Sequence, residues 1–283
     1  MAEIINGKIV SAKLRDEIAS KVVDFKAKYG GAPGLAVIVV GDDPASAVYV
    51  RNKHKACLEV GITSYQIELP GDISEDELIS KIDELNADDS VNGILVQLPL
   101  PRSINEEHVI NRISPEKDVD AFHPANVGRI LIGNYRLLPC TPAGIIALMD
   151  HYGVEIAGKR CVVIGRSNIV GKPMSLLLTE RNGTVTLCHS KTRDIDKICR
   201  EADIIVVAVG RTGFLKADMV KPGAVVIDVG INRLDNGKLC GDVAFDEVSE
   251  VASMITPVPG GVGPMTIATL LKNTLTAAEN QIH

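Results

Sequence analysis

Hydrophobic and polar positions alternate between a helical and a strand pattern along almost the whole chain. Residues 11–29 read as helix and stop at Gly30-Gly31, the punctuation expected at a helix C-terminus. Gly34-Leu-Ala-Val-Ile-Val-Val-Gly41 is short, β-branched and apolar on both faces, which predicts a strand buried inside a parallel sheet. Helix is expected over 44–61 and strand over 62–69, after which the capping box Ser74-Glu-Asp-Glu77 opens another helix. A strand over 91–98 runs into the proline-rich Leu98-Pro-Leu-Pro101. These successive βα units predict a first α/β domain up to about residue 140. A second series follows Pro142. It has a helix to Tyr152, strands over 160–164, 184–189, 203–209 and 224–229, and a helix from about Val170. A Gly/Pro-rich loop over 257–264 then precedes a last helix to about Asn280. The expected fold class is α/β, with two α/β domains flanking a cleft and the second a Rossmann-like doubly wound parallel sheet.

Composition narrows the function classes. The 283 residues are 46% apolar and 23% charged, the balance of a globular chain with a substantial core. A net charge of −6 without a basic stripe excludes nucleic acid as an expected partner, because phosphate binding needs concentrated Lys and Arg. No apolar run approaches the roughly 20 residues that span a bilayer, and Met1 to Val10 carries Glu3, Asn6 and Lys8 instead of a signal-peptide core. Neither a membrane nor secretion is expected. The six cysteines form no CxxC and no zinc-like cluster, and several sit inside apolar runs, so a reduced cytoplasmic setting is the plain expectation.

Candidate chemistry lies at two places. Strand 160–164 feeds Gly165-Arg-Ser-Asn-Ile-Val-Gly171-Lys-Pro173, a glycine-bearing turn into a helix that aims backbone N–H groups at a phosphate. This is not the full GxGxxG pattern, and an ordinary βα loop reads the same way. The next strand ends Cys188-His-Ser-Lys-Thr192, without the carboxylate that grips the ribose of NAD. Ser190 offers a donor there, and Arg166 supplies charge from the first loop, which favours NADP. Asp228, near another strand end, reads as a structural hydrogen-bonding group. In the first domain, Tyr49 and Lys53 lie four apart on one helix face, and the polar Gln97 ends an apolar strand. Asp118 and Asp120 alternate in Lys117-Asp-Val-Asp-Ala-Phe122, where a solvated acidic loop is the bland reading. Metal is discounted because no neighbouring ligand cluster completes a coordination set.

Taken together, the motifs resemble the bifunctional methylenetetrahydrofolate dehydrogenase/methenyltetrahydrofolate cyclohydrolase family, the bacterial FolD type. The resemblance spans essentially the whole chain. It is carried by Tyr49-Val-Arg-Asn-Lys53-His-Lys-Ala56, Val96-Gln-Leu-Pro-Leu-Pro101, Lys117-Asp-Val-Asp-Ala-Phe-His-Pro124 and Pro139-Cys-Thr-Pro142. Gly165-Arg-Ser-Asn-Ile-Val-Gly-Lys-Pro-Met174, Cys188-His-Ser-Lys-Thr192 and Thr256-Pro-Val-Pro-Gly-Gly-Val-Gly-Pro-Met-Thr266 carry it through the second half. One departure is Ala121, where many relatives have glycine.

The resemblance implies oxidation of 5,10-methylene-tetrahydrofolate with NADP, then hydrolysis of the methenyl product to 10-formyl-tetrahydrofolate, within one-carbon metabolism. Lys53 is implied as the central hydrolytic residue. Tyr49 then contacts the folate, Gln97 positions Lys53, and Asp120 binds the pterin edge. Pro259, Gly260, Gly261, Val262 and Gly263 are implied to touch the folate, while Thr141, Gly165, Arg166, Ser167, Ser190 and Ile231 bind NADP. The last helix is implied to fold back on the first domain. That makes residues 1–141 plus 265–283 the folate-binding catalytic domain and 142–264 the NADP-binding Rossmann-like domain. A homodimer is also implied. A shikimate dehydrogenase-like enzyme pairs a lysine with an aspartate too, but it does not account for Gln97-Leu-Pro-Leu-Pro or the Pro259-Gly-Gly-Val-Gly loop. A non-catalytic NADP sensor has no need of Lys53, Gln97 and Asp120.

Overall fold

The computed structural model describes residues 1–282 and, within the helix over 44–60, the side chains from Ser46 onward. β1 (Glu3–Ile4) leads into α1 (Gly7–Tyr29), followed by β2 (Gly34–Val40), α2 (Pro44–Val60), β3 (Thr63–Leu69), α3 (Glu75–Ala87) and β4 (Gly93–Val96). Two short helices, α4 (Glu106–Arg112) and α5 (Pro124–Leu131), precede α6 (Cys140–His151). Next come β5 (Arg160–Ile164), α7 (Gly171–Glu180), β6 (Thr184–Cys188), α8 (Ile195–Arg200), β7 (Ile204–Val207) and β8 (Val225–Asp228). β9 (Asn232–Arg233) and β10 (Leu239–Cys240) form a hairpin, and α9 (Phe245–Ser249), β11 (Met254–Ile255) and α10 (Val262–Gln281) follow.

The chain divides into two compact α/β units, the first of residues 13–140 with 267 onward and the second of 1–12 with 141–266. The first holds a three-stranded parallel sheet in the order β3-β2-β4. Every residue of β2 is buried, as its uninterrupted apolar run requires. Its odd-numbered side chains Leu35, Val37 and Val39 pack with Ile18 and Val22 of α1 and with Leu270 and Leu271 of α10. Its even-numbered Ala36, Ile38 and Val40 pack with Leu78, Ile82 and Leu85 of α3. Ser74 caps α3 in a complete capping box with Glu77, as the sequence predicts.

The second unit holds a six-stranded parallel sheet in the order β1-β11-β8-β7-β5-β6. The strand order reverses at β5, between β6 and β7, which is the switch point where an open α/β sheet leaves a crevice outside its strand ends. The division of the chain at its N-terminal end differs from the sequence-based one. Residues 1–12 belong to the second unit because Glu3 and Ile4 pair in parallel with Met254 and Ile255. A two-residue edge strand has no period to read, so only its distant partner reveals it. α1 also starts at Gly7 instead of near Ser11. The Asn6 side-chain oxygen accepts the N–H groups of Lys8 and Ile9, satisfying donors that a helix start leaves free.

Gly7 lies so close to the Gly260–Gly261 backbone that an added Cβ would overlap the Gly261 carbonyl oxygen. Replacing Gly7 with Ala is therefore expected to displace loop 257–263 and to destabilise the protein by about 1–3 kcal/mol, the usual range for overpacking. Urea unfolding of the variant checks this.

Candidate functional site

In the first unit, α2 and β4 bring Lys53 and Gln97 together. Lys53 Nζ donates to Gln97 Oε1 at 2.9 Å, while Gln97 Nε2 donates to the Leu98 carbonyl at 2.7 Å. The backbone acceptor fixes the amide so that its oxygen faces the lysine. Tyr49, one turn earlier on α2, is 43% exposed. Asp120 is half-buried; burial lifts its carboxyl above the usual range, while the Lys53 charge and the Cys140 thiol pull it back. Lys53, Gln97 and Asp120 thus form one cluster, and Tyr49 shares the helix that carries it.

The alternating acids of the 117–122 loop separate into two roles. Asp118 is buried, and its Oδ2 accepts the His123 N–H at 2.8 Å and Asn126 Nδ2 at 2.9 Å, so it closes the loop. Lys117 donates to the carbonyls of Leu85 and Asp88 at the end of α3. A cation there satisfies carbonyls that the helix leaves unpaired. Ala121 has a φ of 56°, the left-handed region that favours glycine, which accounts physically for its being an unusual residue at this turn. The loop is held from α10 by Asn273, whose Nδ2 donates to the carbonyls of Val119 and Leu138, each at 2.8 Å. Neither Asn126 nor Asn273 stands out in the sequence.

In the second unit, a cavity of about 430 Å³ opens at the switch point. It is lined by Gly165 and Arg166 beyond β5, by His189, Ser190 and Thr192 beyond β6, and by Val209 and Arg211 beyond β7. Gly165 has a φ of 118°, and a Cβ there would overlap the Ala208 carbonyl oxygen, so only glycine allows this turn. The lining suits an extended anionic nucleotide, with Arg166 and Arg211 free of ion-pair partners among the described residues and no carboxylate on the wall. Of the expected cofactor residues, Gly165, Arg166 and Ser190 meet in this cavity. Ser167 lies beside it as a cap, its Oγ accepting the N–H groups of Val170 and Gly171 at the start of α7. Ile231 lines a separate cavity of about 180 Å³ with Lys8 and Pro259–Gly263. Thr141 is at neither; its hydroxyl is 3.0 Å from that of Thr266. Arg211, Thr192 and Lys8 were not singled out in the sequence, and only the strand-end positions of the first two hint at their place.

A glycine-turned crevice with unpaired cations at the switch point of a parallel sheet, together with a lysine held by an amide, defines a dinucleotide-dependent α/β enzyme. Comparison with known proteins gives the family. Residues 5–120 match the family model described as tetrahydrofolate dehydrogenase/cyclohydrolase, catalytic domain, and residues 139–282 match the NAD(P)-binding domain of the same family. The chain belongs to the tetrahydrofolate dehydrogenase/cyclohydrolase family. It is 60% identical over 280 residues to the bifunctional protein FolD of Acetivibrio thermocellus, covering 99% of this chain and 98% of that one. The crystal structure of the bifunctional FolD enzyme from Campylobacter jejuni superposes with a TM-score of 0.98 at 50% identity, over 100% of both chains. The Trypanosoma brucei enzyme, complexed with NADP cofactor and inhibitor, superposes with a TM-score of 0.96 at 40% identity, over 100% of this chain and 99% of that one.

Two predictions follow from the hydrogen bonding. Asn273→Ala removes the amide donor from the Val119 and Leu138 carbonyls, leaving Val119 only the weak Cys140 thiol at 3.4 Å, and is expected to cost about 1–3 kcal/mol in urea unfolding. Asp228, at the end of β8, is lifted by burial from 3.8 to about 6, with the Asp242 charge adding to the lift and three backbone N–H donors opposing it. As pH rises from 3.8 towards 6, the unfolded chain loses this proton first, so the group's contribution to folding falls and then levels off above about 6. The stability of the wild type relative to Asp228→Asn should accordingly decline across that window.

Proposed function

We propose that this chain oxidises 5,10-methylene-tetrahydrofolate to the methenyl form with NADP and hydrolyses the product to 10-formyl-tetrahydrofolate. The observation that carries the hydrolytic half is the Lys53–Gln97 hydrogen bond, set beside the Asp120 carboxylate. The family membership supports both halves.

Bound NADP supplies the hydride acceptor, held by Gly165, Arg166 and Ser190 in the switch-point cavity, with Ser167, Thr141 and Ile231 in supporting places. The methylene carbon is flanked by two nitrogens that stabilise the cation left when hydride departs, so the protein has to position the folate and needs no strong base. Asp120 offers two acceptor oxygens to the pterin's amide and amino donors, a bidentate match that fixes the ring. Tyr49 lies against the folate, and Pro259–Gly263 contacts it.

In the hydrolysis, water adds to the methenyl carbon and its proton passes to Lys53 Nζ. The hydroxyl formed on that carbon then gives up its proton as the carbon–nitrogen bond at N5 opens, N5 takes up a proton, and the formyl group stays on N10, so that one proton is released overall. Gln97 suits this proton cycle because it is neutral. Its amide oxygen accepts an N–H from an ammonium or from an amine, so it keeps hold of Lys53 in both protonation states. We also propose a homodimer and a cytoplasmic setting. The six cysteines are all unpaired, as a reducing compartment keeps them, and among the described residues no helix is long and apolar enough to cross a membrane.

Mixing the protein with 5,10-methylene-tetrahydrofolate and either NADP or NAD, while following absorbance, tests the reading. Wild type should reduce NADP faster than NAD and release little methenyl intermediate. Lys53→Ala should still reduce NADP but let that intermediate accumulate, its hydrolysis slowed by about 10²-fold or more. Reduction of neither cofactor would overturn the oxidoreductase reading.

A further inference from the structure

Asp242 follows β10 in the second unit and is 0% exposed. Among the described residues it has no ion-pair partner; its solvation comes entirely from N–H donors. Its Oδ2 accepts from the backbone of Val209 at 2.7 Å and Gly210 at 2.9 Å. Its Oδ1 accepts from the backbone of Arg211 at 2.8 Å and from Asn232 Nδ2 at 2.8 Å. Four donors from two loops therefore converge on one carboxylate. Asp228 repeats the device beside it, accepting the backbone N–H groups of Gly230, Asp242 and Val243, each at 2.9 Å. The two acids occupy the space that other side chains would fill: a Cβ on Gly230 would overlap the Asp242 carboxyl, and one on Gly241 the Asp228 carboxyl.

The two loops are the walls of two cavities. Val209 and Arg211 line the larger one, at the switch point. Val229, Gly230 and Ile231 line the smaller one, with loop 257–264. A backbone that turns three consecutive N–H groups inward is the kind of concavity that captures anions from outside. Here the anion is the protein's own, so the concavity is filled and its shape set before any ligand arrives. A carboxylate fits this place because its two oxygens share four donors. An amide has one acceptor oxygen for four donors, and its own NH₂ would face N–H groups.

We propose that Asp242 is a positioning residue for NADP, fixing the loop after β7 and the loop after β8 at one spacing so that the cofactor meets preformed walls. It touches neither cofactor nor substrate in this role; it acts through Val209, Arg211 and Ile231. The inference rests on the reading of the switch-point cavity as the NADP site.

The test uses the full-length protein and three variants: Asp242→Asn, Asn232→Ala and Arg166→Ala. Each is assayed for NADP-dependent dehydrogenase activity with NADP varied. Each is also assayed for hydrolysis of 5,10-methenyl-tetrahydrofolate without cofactor, which reports the Lys53 cluster independently of NADP. Asp242→Asn is expected to raise KM for NADP about tenfold or more, the effect of losing charge-assisted hydrogen bonds, while hydrolysis stays within about twofold of wild type. Asn232→Ala removes only the side-chain donor that joins the loops and should raise KM in the same direction by about two- to fivefold. Arg166→Ala should weaken NADP through lost charge. If Arg166→Ala raises KM while Asp242→Asn and Asn232→Ala do not, the positioning role is overturned and the cavity reading stands. An unchanged KM in Arg166→Ala overturns the cavity reading and the inference with it. Proportional loss of both activities with melting temperature would make Asp242 a general structural residue, again against the proposal. Should Asp242→Asn fail to fold, the KM of Asn232→Ala decides.

Discussion

Parallel strand pairing is the constraint on which the rest of this molecule depends. Apart from the β9–β10 hairpin, every strand pair in both sheets is parallel. A parallel neighbour is reached only through a crossover connection, most often a helix, and the strand ends of one polarity gather along one edge. Just past that edge the ladder stops, and backbone N–H and C=O groups need other partners. Side chains of both units meet this need. In the three-stranded unit, neutral amides answer several carbonyls, Gln97 that of Leu98, Asn126 that of Pro115 and Asn273 those of Val119 and Leu138, while the buried Asp118 carboxylate answers the His123 N–H. In the six-stranded unit, buried carboxylates answer the N–H groups of the loops after β7 and β8. In the proposed reaction, the neutral Gln97 leaves Lys53 free to gain and lose charge, whereas Asp228 and Asp242 tie down the loops of the larger sheet.

The partner of Lys53 shows how much depends on that neutrality. A carboxylate at position 97 would hold the ammonium form and resist its loss of a proton. The amide offers geometry without that bias. The nearby charge is Asp120, whose carboxyl burial lifts above the usual range while the Lys53 charge pulls it back. Position and charge are thereby assigned to different residues of one cluster.

Much of this was legible along the chain, for identifiable reasons. β2 was readable because a strand buried on both faces must be apolar at every position, and α3 because its capping box is a local pattern. β5 and the glycine turn after it were readable from one continuous segment. The elements that stayed hidden are those whose reason lies far away. β1 and β11 are two residues each and exist only as each other's partner beside β8. Asn273 looks like any polar residue of a helix until Val119, 154 residues earlier, is found at its amide. The acid of Gly241-Asp-Val243 gives no sign that it binds a loop 31 to 33 residues before it. Asp228, read as a structural hydrogen-bonding group, does accept three backbone donors. The site roles of Lys53, Gln97 and Asp120 came from resemblance, since spacing alone distinguishes none of them from surface polar residues.

The pairing of β1 with β11 has a kinetic side. Glu3 meets Met254 about 250 residues further along the chain, one of the longest loops this fold closes. Closing it costs entropy that only two residue pairs repay directly, so the edge of the larger sheet should form late, after the interior strands β5, β7 and β8 have docked. During synthesis, residues 3 and 4 must wait, unpaired, until residue 255 has left the ribosome. A handful of residues at the start of the chain is thus the last piece of that sheet to be set in place.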